Sequence, residues 1–186
     1  MKKPRLSQLR IIGGEHRSRI VEFDGGSGVR PTPDRVRQTV FDWLAPIIEG
    51  AHCLDLFAGS GAMGLEALSR GAGSVTLVES GRRQIELIET ALVILKAQTR
   101  GILHAGDALH FLEQTDQRFD VVFLDPPYGS DLLVEALARL PRVLKTGHRI
   151  YLEWPASGKP VFPAKLHLLK EKQAGQVSYG LATFTE

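Results

Sequence analysis

Residues 121–129 read VVFLDPPYG. Four apolar residues run directly into Asp125, two prolines and a tyrosine. An apolar run this short suits a strand buried on both faces, the kind found in parallel sheets covered by helices. Pro126 and Pro127 have no N–H for a sheet ladder, so the strand stops there. The residue before each proline is driven to extended geometry, and so Asp125 and Pro126 cannot start a helix. The outcome is a stiff corner carrying a carboxylate, a carbonyl without a local N–H partner and a flat ring. That set suits a planar group with N–H donors, such as the amino group of a nucleobase. A plain turn after a core strand uses the same residues, so a second stretch must decide.

Outward from that corner, strand and helix patterns alternate from residue 51, the signature of a parallel sheet with helices on its faces. Strands are expected at 52–57, 74–79, 102–105, 119–125 and 149–153, with helices at about 62–70, 81–97, 108–114 and 130–140. Pro155, Pro160 and Pro163 make a linker, after which 165–171 and 176–184 read as two strands joined around Gly175. The expected fold is therefore α/β: a seven-stranded, mostly parallel sheet closed by a C-terminal antiparallel β-hairpin.

The first residues have another character. Segments 9–12 and 19–23 read as short strands, with Gly13-Gly14 at the start of the segment joining them. Arg10, His16, Arg17 and Arg19 gather in this hairpin. Gly25, Gly26 and Gly28 form a flexible link to RPTPDRVRQTVFDWL, where Asp34 is a plausible helix cap and Val36, Val40, Phe41 and Leu44 follow at helical spacing. Arg30, Arg35 and Arg37 lie at or near the start of that helix, where a nucleic-acid backbone could be met. Two units are expected, a basic hairpin extension over 1–30 and the α/β domain over 31–186.

The net charge of +2 hides an asymmetry. Residues 1–37 hold nine Lys/Arg against four Asp/Glu, and the remainder holds 14 against 17. A basic arm on a mildly acidic body points to a polyanionic partner, unless it is a solvated tail. Cys53 is the one cysteine, in an apolar strand pattern, and reads as a small core residue in a reducing compartment. The histidines show no metal-ligand pairing and no CxxC is present, so no metal is expected. No apolar region follows MKKPRLSQLR and no run reaches the roughly 18 residues that span a membrane. A cytoplasmic protein is the default expectation.

The second decisive stretch is CLDLFAGSG, residues 53–61, which ends the first strand of the sheet and opens a helix. Gly59-Ser60-Gly61-Ala62-Met63-Gly64 matches GxGxxG, so a dinucleotide must be weighed. Asp55, however, puts a carboxylate at the mouth where a pyrophosphate would sit. A carboxylate there suits the cationic amino end of S-adenosylmethionine, although it could also cap the turn. Glu79 ends the second strand, 20 residues beyond Gly59, where an acid accepts from ribose hydroxyls. Asp107 could accept an adenine amino group, with Ala108 lining the ring pocket, or cap the helix that follows; the two roles are compatible.

Together DLFAGSGAMG, VES, GDA and DPPY resemble the class I, Rossmann-like methyltransferases that act on exocyclic amines. RIIGGEHRSR, RPTPDRVRQTVFDWL, CLDLFAGSGAMGLEALSRGA and AGQVSYGL extend the likeness to bacterial 16S rRNA guanine-N2 methyltransferases of the RsmD type, over nearly the whole chain. The resemblance implies S-adenosylmethionine as cofactor, bound by Asp55, Phe57, Ala58, Gly59, Ser60, Gly61, Glu79, Asp107 and Ala108. It implies a target guanine in 16S rRNA, met in an assembled or assembling 30S particle by a monomeric enzyme. Asp125 and the Pro126 carbonyl would accept the two amine hydrogens while Tyr128 stacks on an extruded base. Pro127, Arg10, Arg17, Arg19, Arg30 and Arg35 are the expected RNA contacts. Guanine places N1–H beside its amine and adenine places an acceptor there, but DNA adenine methyltransferases use DPPY too. The choice of guanine therefore rests on the resemblance.

Alternative readings are a DNA adenine-N6 or protein glutamine methyltransferase, an NAD-linked oxidoreductase and a non-catalytic RNA-binding module. The glutamine enzymes carry Asn where Asp125 stands. The oxidoreductase lacks an evident hydride partner, and the binding module would have no use for an intact DPPY.

Overall fold

The computed structural model describes residues 6–185. The start of the basic arm, residues 1–5, lies outside them. Strands β1 (Leu6–Arg10) and β2 (Ile20–Asp24) pair antiparallel, with Leu9 opposite Val21. The first strand lies nearer the N-terminus than the pattern predicts. Ile12 and Gly13 leave the ladder because their N–H groups donate to Glu66, at 3.0 and 2.9 Å. The glycine link is an ordered turn over Gly25–Ser27, capped by the Asp24 side chain on Gly26 N–H at 2.9 Å.

Helix α1 (Asp34–Leu44) follows, then β3 (His52–Asp55), α2 (Ala62–Ser69), β4 (Ser74–Glu79), α3 (Arg82–Ile94), β5 (Gly101–Ala105), α4 (Ala108–Gln114) and β6 (Phe119–Leu124). The chain closes with α5 (Leu132–Arg139), β7 (Leu144–Pro155), β8 (Leu166–Ala174) and β9 (Val177–Phe184). Helix α3 stops short of residue 97 because Lys96 turns left-handed at φ 52° and Ala97 N–H folds back onto Leu92. Strand β7 begins at Leu144, well before 149, since its partner β6 carries an irregularity between Phe119 and Val121. Asp34 does not cap α1: Pro33 holds the cap position, and the Asp34 carboxylate pairs with Arg37 at 2.6 Å and Arg10 at 3.0 Å.

The sheet order is β5-β4-β3-β6-β7-β9-β8, parallel from β3 to β7 and antiparallel at β9 and β8. Alternation along each strand sends side chains to two cores. Cys53, Val121, Phe123 and Tyr151 join the hairpin, α1, α2 and α3 on one face. Leu54, Val122, Leu124 and Leu152 join α4 and α5 on the other. From β3 the chain winds to β4 and β5 on one side and then returns to lay β6 and β7 on the other, and at such a switch point the C-terminal ends part into a crevice. No helix among the described residues is long and apolar enough to cross a membrane.

Candidate active site

The crevice is a cavity of about 1300 Å³ over the C-terminal ends of β3, β4 and β6. The turn after β3 forms its floor. Gly59 and Gly61 adopt φ of 52° and 76°, left-handed values that a side chain rarely tolerates. Gly64 serves packing instead, since a Cβ there would lie 2.7 Å from Leu77 Cδ2. Phe57, Ala58, Gly59 and Ser60 face the cavity, whereas Gly61 stands behind them as the first-turn cap of α2 and does not line it.

Asp55 is buried at the end of β3, and its Oδ2 accepts Gly64 N–H at 2.8 Å. The carboxylate thus occupies the head of α2, where a dinucleotide would need its pyrophosphate. Burial pushes its carboxyl up to about 7; the Gly64 N–H opposes that shift and the Glu79 charge adds to it. Glu79 accepts Gly59 N–H at 2.7 Å through Oε2, and Ser80 and Gly81 N–H at 2.9 and 2.7 Å through Oε1. An ionised carboxylate has about four acceptor sites, so one remains for a hydroxyl. Asp107 caps α4 through His110 N–H at 2.8 Å while still facing the cavity, and Ala108 lies beside it. The cap is thus formed, and it leaves Asp107 on the cavity wall.

Two acids one strand apart, a glycine turn whose Gly59 lets a ligand approach the backbone and an anion seat taken by Asp55 fit a nucleoside with a cationic tail. S-adenosylmethionine has that chemistry. Asp55, Gly59, Glu79 and Asp107, all on the cavity wall, would hold it.

The double-proline corner opens onto the same cavity. Asp125, Pro126, Pro127 and Tyr128 all line it. Asp125 is on the α1–α2 face of the sheet with Phe123, and burial, then the neighbouring Glu153 and Asp55 charges, raise its carboxyl well above the ordinary range. Tyr128 is 53% exposed, with its hydroxyl donating to Glu153 Oε2 at 3.2 Å. Glu153 is buried at the end of β7 and also accepts from the Tyr151 hydroxyl and, at 3.2 Å, from Thr32. Motif reading assigned no site role to Glu153 or Thr32. The available signal was a carboxylate ending the strand that follows β6.

The predicted arginines separate into three groups. Arg30 lines the cavity. Arg35 is exposed on α1 and Arg10 is tied to Asp34, both outside the cavity lining. Arg17 and Arg19 are exposed on the loop whose Glu15 and His16 N–H groups bond Ser69, the last residue of α2. The length of α2, about 12 Å, separates that loop from the glycine turn. Arg37 is a correction. It is fully buried, bonded to Glu66, Asp34 and the Thr32 and Arg10 carbonyls, and braces the hairpin rather than meeting a backbone phosphate.

Comparison with known proteins bears on this site. The family described as Conserved hypothetical protein 95 matches residues 9–183. Ribosomal RNA small subunit methyltransferase D of Escherichia coli strain K12 is 45% identical over 187 residues, covering 97% of this chain and 94% of that protein. Its namesake in Haemophilus influenzae is 40% identical, covering 94% of this chain and 93% of its own length. Among solved structures, yhhF of Escherichia coli aligns with a TM-score of 0.87 at 42% identity, over 96% of this chain and 98% of that one. The M. jannaschii tRNA m1G37 methyltransferase shares the fold at 13% identity, with a TM-score of 0.72 over all of this chain and 58% of its own.

Proposed function

Since the chain belongs to the ribosomal RNA small subunit methyltransferase D family, we propose that it methylates the exocyclic N2 of a guanine in 16S rRNA, using S-adenosylmethionine. One observation carries this reading: the glycine turn with its acids and the DPPY corner open onto a single cavity. The cofactor, when bound, supplies an electrophilic methyl group on a sulfonium. The protein's own residues handle the amine.

Guanine N2 is a poor nucleophile because its lone pair is delocalised into the ring. Asp125 and the Pro126 carbonyl accept its two N–H bonds and favour a pyramidal nitrogen. The charge on Asp125 offsets the positive charge that grows on that nitrogen in the transition state. Tyr128 stacks on the extruded base, and its hydroxyl bond to Glu153 fixes the plane of the ring. Holding the reactants in register is worth up to roughly 7–11 kcal/mol of the barrier. Extrusion costs a few kcal/mol, less from a loop than from a duplex.

Residues 1–30 act as the RNA-contacting extension of a transferase domain over 31–186. Arg30 and Arg35 meet the strand near the target, Arg10 lies beside them, and Arg17 and Arg19 meet RNA farther away. The substrate is the 16S rRNA within an assembled or assembling 30S particle.

The test is transfer of tritiated methyl groups to rRNA from cells lacking the enzyme, followed by nucleoside chromatography. N2-methylguanosine is expected. Label in N6-methyladenosine instead would overturn the choice of base.

A further inference from the structure

Glu153 carries more hydrogen-bonding capacity than a structural post requires. The register of β6 and β7 pairs Leu124 with Leu152, so Asp125 and Glu153 come next, side by side on neighbouring strands. Both line the cavity. The Oε1 atom of Glu153 takes the Tyr151 and Thr32 hydroxyls, and Oε2 takes that of Tyr128. With about four acceptor sites on an ionised carboxylate, one stays open, and it is on Oε2, the atom shared with the stacking tyrosine. No partner of Glu153 among the described residues is a cation. A neutral amide could accept from the same hydroxyls without the cost of a buried charge.

We propose that Glu153 is a specificity-determining residue: its Oε2 accepts the ring N1–H of guanine while Asp125 accepts the neighbouring amine. This rests on the guanine reading above and gives it a physical basis. Guanine presents N1–H and N2–H donors next to one another, and two adjacent acceptor-only groups match that edge. A base with an unprotonated ring nitrogen beside its amine turns a lone pair toward a carboxylate and is rejected. Burial raises both carboxyls; the Glu153 charge raises that of Asp125 further, while the three hydroxyls oppose the rise at Glu153. An incoming base edge with two N–H donors relieves that repulsion without a proton on either acid. The plainer role for Glu153, a strut for Tyr128, Tyr151 and Thr32, predicts equal losses on every base when it is changed.

The test uses the full-length protein and small-subunit rRNA in which the methylated guanine, located first by mass mapping, is replaced by 2-aminopurine. That base keeps the 2-amine and lacks N1–H. Wild-type kcat/KM should be about 10- to 100-fold lower on 2-aminopurine than on guanine. Glu153→Gln turns an amide N–H toward the ring nitrogen, so the guanine preference should shrink at least about fivefold. Equilibrium binding, read from 2-aminopurine fluorescence, should shift the same way. Equal wild-type rates on the two bases overturn the inference, as does a variant that loses both activities in the same proportion. Equal wild-type rates overturn it even where the variant does not fold. If the wild type methylates no guanine N2 in rRNA, the proposed function itself fails; normal guanine methylation without discrimination sinks this inference alone.

Discussion

Tyr128 and Glu153 are joined at 3.2 Å, so the exposed ring of the double-proline corner is anchored to the buried end of β7. A hydrogen bond to a charged group contributes about 1.5–3 kcal/mol. Tyr128→Phe keeps the stacking face and loses the anchor, and should lower kcat/KM about tenfold or more. Tyr128→Ala also loses stacking, worth about 1–3 kcal/mol per base, and should fall further. Steady-state kinetics on rRNA check the order.

In the proposed reaction Asp125 accepts from the amine, while the glycine turn and its acids take the cofactor. Asp125→Ala should lower kcat by about 10²–10³-fold, the loss usual for one preorganised electrostatic partner. Cofactor affinity, read by calorimetry, should stay nearly intact. A large fall in that affinity would move Asp125 out of its assigned role.

Asp55 makes the protein sensitive to pH in a defined direction. Its folded value of about 7 is above the unfolded value of about 3.9. Between these values the folded form keeps a proton that the unfolded form has lost, so this group's contribution to stability falls as pH rises from about 4 to about 7. Asp55→Asn should flatten that part of the Tm–pH curve of the ligand-free protein. A cationic ligand group favours the ionised form, so wild-type cofactor affinity should rise between about pH 6 and pH 8. The Asn variant should lack the rise.

Glu66 and Arg37 form a fully buried pair at 3.3 Å, and Glu66 also receives Arg70 at 2.8 Å. Glu66→Ala leaves Arg37 buried without its partner in α2, and the Ile12 and Gly13 N–H groups without theirs. Breaking such a pair costs about 3–5 kcal/mol. A urea titration should show a lower midpoint with an unchanged slope.

The features legible in the sequence are local ones. The Pro126-Pro127 corner, the glycine turn and the alternating strands follow from rules that act over a few residues, and they locate both halves of the cavity. What was not legible depends on partners far apart in the chain. Glu153 acquires its role from Thr32, 121 positions away, and from a strand register that no local pattern reports. Arg37 looks like a surface arginine because helical spacing says nothing of Glu66, 29 positions on, which draws it inward. Asp34 looks like a cap by residue type, but two guanidinium groups compete for it and win. Charge counting found the basic arm, yet could not separate the arginines that brace the fold from those that face outward.

The N-terminal hairpin depends on residues made well after it. Ile12 waits for Glu66, Asp24 for Gln84 and Glu15 for Arg100. At about 5–20 residues per second, the ribosome needs several seconds more to deliver those partners. A two-stranded hairpin alone is marginal in water, so the hairpin, made before its partners, is among the last parts to settle. During that interval its apolar face, with Leu9 and Phe23, is uncovered, which leaves the hairpin vulnerable to mispairing.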